Sequence, residues 1–181
     1  MDNQEFAMQV VKFSQLEQLT SVYETSEEPE QSNLLMSDAI SNSLLPGLIG
    51  KTAKAATNKI YFDGENPVCI NFTVNHFAES ANLTIQDLSG NIIKQFKLED
   101  SLLSKGEHNI SWDGSDESGI QSKSGEYLLY FEEVESHENF SNLSAYIIGE
   151  IQYIDFKNEG VFFVINNIEI KFEHIIDFIN N

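Results

Sequence analysis

The chain has 181 residues, enough for one domain or two small ones. A formal charge of −19 and an isoelectric point near 4.3 exclude nucleic acid and anionic membrane surfaces as partners, because ten basic side chains among 29 carboxylates cannot offset phosphate repulsion. One cysteine rules out an internal disulfide, and with no apolar stretch long enough for a membrane span and no Sec-type start, a soluble chain without membrane insertion is expected.

Residues 2–24 read as an amphipathic helix. Phe6, Val10, Phe13, Leu16, Leu19 and Tyr23 fall three or four apart and share one face, and Asp2 with Glu5 makes a capping box. The following stretch, Thr25 to Ser32, is polar, acidic and broken by Pro29, which is linker composition. Such a stripe can dock on the chain's own β strands, but an apolar helix beyond a linker more often serves another chain, so Phe6, Val10, Phe13, Leu16 and Leu19 are the candidate assembly residues. A second short helix is predicted over 34–45, ended by Pro46-Gly47.

From residue 48 the pattern turns to β. Two short runs, 49–55 and 59–62, precede a turn at Asp63-Gly64-Glu65-Asn66-Pro67. Five alternating runs follow at 68–74, 81–88, 91–98, 106–112 and 126–134, with a tight hairpin at Ser89-Gly90-Asn91. Short strands at this spacing predict a sandwich. A segment of that size sits near the limit where burial outweighs chain entropy, so modest stability is expected. Cys69 lies in the apolar run Val68-Cys69-Ile70 and is expected to be a buried structural thiol.

The most informative stretch is Ile110-Ser111-Trp112-Asp113-Gly114-Ser115-Asp116-Glu117-Ser118-Gly119, resumed at Ser124-Gly125-Glu126-Tyr127. It reads strand, long polar turn, strand, with His108, Ile110 and Trp112 on one face before the turn and Tyr127, Leu129 and Phe131 after it. Trp112 is expected to cover the open edge of the sandwich core. Asp113, Asp116 and Glu117 lack the alternate-oxygen spacing, sixth glycine and twelfth glutamate of an EF-hand loop, so no metal is assigned. Gly114, Gly119 and Gly125 suit left-handed turn backbone instead.

After a polar break at 136–142, a long strand is predicted over 144–156. A turn at 157–160, a return strand at 161–165, a two-residue hairpin at Asn166-Asn167, a strand at 169–172 and an apolar tail at 174–179 complete the chain. Three strands and a tail are too few for a closed core. The runs before residue 63 are therefore expected to complete a small barrel, with the sandwich inserted between its halves. The expected division is 1–46 for helices and linker, 47–62 plus 143–181 for the barrel, and 63–142 for the sandwich.

No catalytic constellation is visible, and no enzyme or cofactor is expected. His76, His108, His137 and His174 are dispersed, with none beside a nucleophile or a second ligand at metal spacing. Glu132, Glu133 and Glu135 have no apolar cradle and read as a solvated edge that resists aggregation. Gly47-x-x-Gly50-Lys51-Thr52 lacks the first glycine of a phosphate loop. Asn-x-Ser/Thr triplets at Asn71, Asn82, Asn109, Asn139 and Asn142 need carry no glycan in so Asn- and Ser-rich a chain.

The Trp112-Asp113-Gly114 turn with Ser124-Gly125-x-Tyr127 resembles the immunoglobulin-like module of the flagellar hook-capping protein (FlgD) family, and also C-terminal sorting modules of surface-secreted bacterial proteins. Three further stretches resemble the hook-capping family alone. These are Met1-Asp2-Asn3-x-Glu5-Phe6 with Phe13-Ser14-x-Leu16-Glu17-Gln18-Leu19, then Leu48-Ile49-Gly50-Lys51-Thr52, and then Gly149-Glu150-Ile151 through Ile165-Asn166-Asn167-Ile168-Glu169-Ile170. Family members usually carry residues before the Met-Asp-Asn motif, where this sequence starts. The resemblance implies a Tudor-like barrel holding an inserted sandwich of immunoglobulin or fibronectin III type, in a non-enzymatic scaffold at the tip of the growing hook. It further implies export by the flagellar type III apparatus, self-association into a cap and hook protein as partner. The alternative reading is an adhesin or sorting-type β module.

Overall fold

A computed structural model describes residues 45–133, 142–157 and 159–179. The chain divides into two units, Met1–Leu48 and Ile49–Asn181. Of the first, the described residues form a 3₁₀ turn, Leu45–Leu48; every described strand belongs to the second. The helix expected at 2–24, the acidic linker and all but the last residue of the helix expected at 34–45 lie outside the described residues, as do Phe6, Val10, Phe13, Leu16 and Leu19.

The described unit is β with no α-helix among its described residues. Its strands are β1 (Thr52–Ala56), β2 (Lys59–Phe62), β3 (Val68–Val74), β4 (Ala81–Asp87), β5 (Ile92–Leu98), β6 (Gly106–Trp112), β7 (Gly125–Glu133), β8 (Leu143–Lys157), β9 (Gly160–Ile165), β10 (Ile168–Lys171) and β11 (Ile175–Ile179). One sheet runs β2-β7-β4-β5, all antiparallel. Opposite it, β3 pairs with β6 on one side and with the first residues of β8 on the other.

Alternation builds the core between these sheets. Ile70, Phe72 and Val74 of β3, Leu83 and Ile85 of β4, Trp112 of β6 and Tyr127 and Leu129 of β7 all point inward and are buried. Phe72 meets Phe131 and the His108 ring at centroid distances of 5.3 and 5.7 Å. The same period of two corrects the expectation for Cys69. It sits between inward Ile70 and half-buried Val68, faces outward and is exposed, with its thiol against Asn71 Oδ1 at 3.6 Å.

The remaining strands follow the order β10-β9-β8-β1-β11. Thr52–Ala56 pairs with Glu150–Tyr146 on one side and with Ile179–Ile175 on the other, so a strand before the sandwich is laddered to strands after it. Among the described residues no ladder joins β10 to β11, and β3 and β6 extend the same sheet through β8 to seven strands. Ile151, Phe163, Ile165, Ile168 and Ile170 form its buried face, with Ala53 and Ala55. One strand expected here lies elsewhere: β2 pairs with Gly125–Leu128 of β7 in the sandwich sheet. Its alternation suits either sheet, and Phe62 packs on Trp112, which holds it in the sandwich.

The long strand β8 is common to both halves. Tyr146 is opposite Asn71 of β3 and Ala56 of β1 at once. At this junction Lys54 forms an ion pair with Glu107 and lies 3.9 Å from the centroid of the Tyr146 ring, while the Tyr146 hydroxyl donates to Glu107 Oε2 at 3.2 Å. Side chains from β1, β6 and β8 thus meet where the two sheet systems share a strand. The Lys54 side chain is only 16% exposed but that of Glu107 is 60% exposed, so water still screens the pair.

The Asn166-Asn167 hairpin also has a specific backbone. Both residues adopt left-handed conformations, φ 51° and 61°, as a two-residue turn of the primed type requires. Asn166 Nδ2 donates to the Ile148 carbonyl at 3.1 Å, which folds the turn onto β8. A Cβ at Gly149 would fall 2.2 Å from Asn166 Oδ1, so any larger residue there would have to displace the Asn166 side chain.

Candidate functional site

The turn after Trp112 is a loop that satisfies its own polar groups. Asp113 Oδ1 accepts from the Ser115 amide and hydroxyl at 2.9 and 2.7 Å. Asp116 Oδ1 accepts from the Ser118 and Ile120 amides at 2.8 and 2.9 Å. Backbone bonds from Ser122 to Gly114 and from Asp116 to Ile120 close it further. One oxygen of Asp113 and one of Asp116 are therefore engaged by amides and a hydroxyl of the loop itself. Among the described residues no group of three His, Cys, Asp or Glu side chains is placed to hold a metal ion.

Trp112, Tyr127 and Phe62 make the inner wall of this loop. Trp112 is fully buried, with ring centroids 5.2 Å from Phe62 and 5.0 Å from Tyr127, the latter edge-on. Its Nε1–H donates to the Ser115 carbonyl at 2.9 Å, which satisfies the one polar atom of the ring. The Tyr127 hydroxyl reaches back four residues and donates to the Lys123 carbonyl at 2.6 Å, the hydrogen bond of a tyrosine corner. Burial raises the Tyr127 pKa. Gly114, at φ 83°, lies against Phe62: a Cβ there would stand 2.1 Å from Phe62 Cζ. Gly119 is also left-handed, at φ 78°, but faces open space, and Gly125 opens β7. Asp113 keeps its carboxylate below the usual range through the Ser115 bonds.

Phe62 is the residue of this site that sequence reasoning missed. Its position before the Asp63 turn assigns it to the barrel, whereas its pairing with Gly125 and its contact with Trp112 put it in the sandwich. That turn, and the β4–β5 hairpin, use the same device. Asp63 Oδ1 accepts from the Glu65 and Asn66 amides and Oδ2 from Asn66 Nδ2, all at 2.8 Å. Asp87 Oδ1 takes the Ser89 and Asn91 amides at 2.9 Å, and Oδ2 takes Asn91 Nδ2 at 2.8 Å. Each is a carboxylate capping its own turn.

These bonds set a pH dependence. The Asn66 side chain first, then the turn amides, hold the Asp63 pKa at about 2 against an ordinary 3.8. Asp87, Asp113 and Glu107 are lowered by hydrogen bonds from Asn91, Ser115 and Lys54 respectively. A depressed folded pKa gives stability that is present above the unfolded value and lost as pH falls through the folded one. The charge of −19 acts the other way, since protonation first relieves self-repulsion. The melting temperature is therefore expected to hold or rise from pH 7 to about 5 and to fall between about 4 and 2. Asp63→Asn should make that acid limb shallower; an unchanged limb in a pH series of melts would contradict this assignment.

The other described histidines have ordinary surroundings. His108 is half-buried, with Nε2 2.7 Å from the Ser104 carbonyl; His76 and His174 are exposed. A groove of about 400 Å³ lies between the Asp63 turn with β3 and the Asn166-Asn167 hairpin with β8, lined by Asn66, Cys69, Asn71 and Gln152 among others. Its amides are largely turned on one another: Gln152 Oε1 accepts from the Asn167 amide at 2.9 Å. No helix among the described residues is long and apolar enough to cross a membrane.

Comparison with known proteins shows what this geometry is similar to. The model of the FlgD Ig-like domain family matches residues 57–135, which take in β2 to β7 and the whole tryptophan loop. Among curated proteins no sequence match was found. The fold is similar to that of FlgD from P. aeruginosa, at 17% identity and a TM-score of 0.59, over 72% of this chain and 97% of that one. It is similar also to FlgD from Xanthomonas campestris, a protein described in connection with the hook capping essential for flagellar assembly, at 16% identity and a TM-score of 0.57, over 73% of this chain and 94% of that one. The resemblance carried by the Trp112–Tyr127 motif is thus met by a match to the FlgD Ig-like domain model over residues 57–135, within a fold similar to that of solved FlgD proteins.

Proposed function

We propose that this chain is a non-enzymatic scaffold that caps the growing flagellar hook and promotes polymerisation of exported hook-protein subunits. The observation that supports the reading most is the FlgD Ig-like domain at 57–135 together with a surrounding fold similar to that of the X. campestris hook-capping protein. Its site of action is the growing hook tip, reached through the flagellar type III apparatus. Its partners are hook protein and further copies of itself. In this reading residues 1–46 form the helical attachment and assembly segment, with Phe6, Val10, Phe13, Leu16 and Leu19 as its apolar stripe. The strands flanking the sandwich are the Tudor-like part into which the sandwich is inserted.

A cap of this kind needs rigid modules more than reactive groups. The Lys54–Glu107–Tyr146 cluster and the shared strand β8 supply that rigidity between sandwich and flanking sheet. Deleting the gene tests the proposal. Cells without the chain are expected to lack hooks and to release hook protein into the medium, as seen by electron microscopy and immunoblotting. Hooks of normal number and length in the deletion strain would contradict it.

A further inference from the structure

Strand β5 is the outer strand of the sheet β2-β7-β4-β5, with β4 on one side only. Such an edge presents alternate amides and carbonyls to solvent and is a template for strand addition. Here the outward groups of Ile93 and Gln95 are already engaged, and by one residue. The Glu117 amide donates to the Ile93 carbonyl at 3.1 Å, and Glu117 Oε1 accepts from the Gln95 amide at 2.7 Å. In a parallel ladder, a residue facing Lys94 would donate its amide to the carbonyl of 93 and offer its own carbonyl to the amide of 95. Glu117 makes both bonds, with its carboxylate in place of its main-chain carbonyl.

The loop is held in that position from both ends. Lys94 Nζ donates to the Asp116 carbonyl at 3.1 Å and stands 4.0 Å from Glu117 Oε2. Ser115 is tied to the Trp112 ring, and Asp116 closes the turn from Ser118 to Ile120. Exposed Ile92 on β5 and Ile120 on the loop add apolar surface beside this edge, which would favour a second chain if the edge were open. Lys97, exposed and next along the strand, adds a charge of the kind that blunts edges.

We propose that Glu117 closes the β5 edge by mimicking one residue of an added strand, and that the occupant it excludes is the β5 edge of a second copy of this chain. The tryptophan loop then has two functions: its inner wall completes the core, and its outer carboxylate keeps the sandwich from pairing edge to edge. Subunits that must gather at a hook tip through one surface gain from having this other surface shut, yet the inference stands on the geometry whether or not the chain caps hooks.

The test uses the full chain and two substitutions. Glu117→Ala removes the acceptor, whereas Glu117→Gln removes the charge and keeps a carbonyl oxygen at the same place. All variants retain residues 1–46, so association is measured as an excess over the unsubstituted chain by sedimentation velocity across a concentration series. Glu117→Ala is expected to self-associate beyond that baseline and, at concentrations dilute enough to keep it monomeric, to exchange the Gln95 amide about tenfold faster or more; Glu117→Gln should match the unsubstituted chain in both. Adding Gln95→Pro to the Glu117→Ala chain removes the outward amide and the Gln95 side-chain bond to Thr84 Oγ1, but no backbone bond of the ladder to β4, and should return the size distribution to baseline. Glu117→Ala at baseline, Glu117→Gln associating like Glu117→Ala, or association that Gln95→Pro fails to reverse would each overturn the proposal.

Discussion

Replacing Trp112 with alanine is expected to lower unfolding free energy by about 3–5 kcal/mol, the usual cost of truncating a large buried aromatic. The ring is fully buried, touches Phe62 and Tyr127, and gives its only polar hydrogen to the Ser115 carbonyl. Truncation removes the aromatic contacts, leaves a cavity between β2, β6 and β7, and frees a carbonyl that anchors the loop. The loop cannot settle into the space, because Gly114 already lies against Phe62 and its backbone is fixed at φ 83°. For a chain of this length the change corresponds to a fall in melting temperature of roughly 10 °C or more. Trp112→Phe keeps much of the volume and loses the hydrogen bond, so a loss of about 1–2 kcal/mol is expected. Urea titrations of the three chains measure both, and a Trp112→Ala loss below about 1 kcal/mol would mean that the ring does not hold the core.

Much of the fold is legible in the alternation. A strand with one buried face writes its inward residues at every second position, so Ile70-Phe72-Val74, Ile110-Trp112 and Tyr127-Leu129-Phe131 could be read directly. The runs expected at 68–74 and 106–112 coincide with β3 and β6. The Asn166-Asn167 hairpin was legible for a different reason, because two consecutive left-handed residues in a tight turn favour asparagine.

What escaped the sequence depends on partners distant along the chain. Lys59–Phe62 carries no mark of which sheet it joins; its ladder to Gly125–Leu128 follows from the packing of Phe62 on Trp112. Cys69 was misjudged from its apolar neighbours, although Ile70, Phe72 and Val74 had already taken the inward face. The place of Glu117 is set by β5, some twenty residues earlier in sequence, and an isolated Glu in an acidic turn gives no sign of it. Gly149 looks like any strand glycine until the Asn166 side chain folds over it.

The second large effect concerns the apolar stripe of residues 2–24. Aspartate at Phe13 or Leu16 puts an unpaired charge into the proposed assembly face, which is costly wherever that face is buried against another chain. The polar Thr25–Ser32 stretch separates the stripe in sequence from the β strands, so their melting is expected to be unchanged. The most direct measurement supplies each chain to cells lacking the native copy, counts hooks by electron microscopy and records the melting temperature of the same purified proteins. The account predicts that the unsubstituted chain restores hooks, whereas Phe13→Asp and Leu16→Asp keep the melting temperature and leave cells without them. Normal hooks from the substituted chains together with a lowered melting temperature would make the stripe part of the protein's own packing and contradict the scaffold.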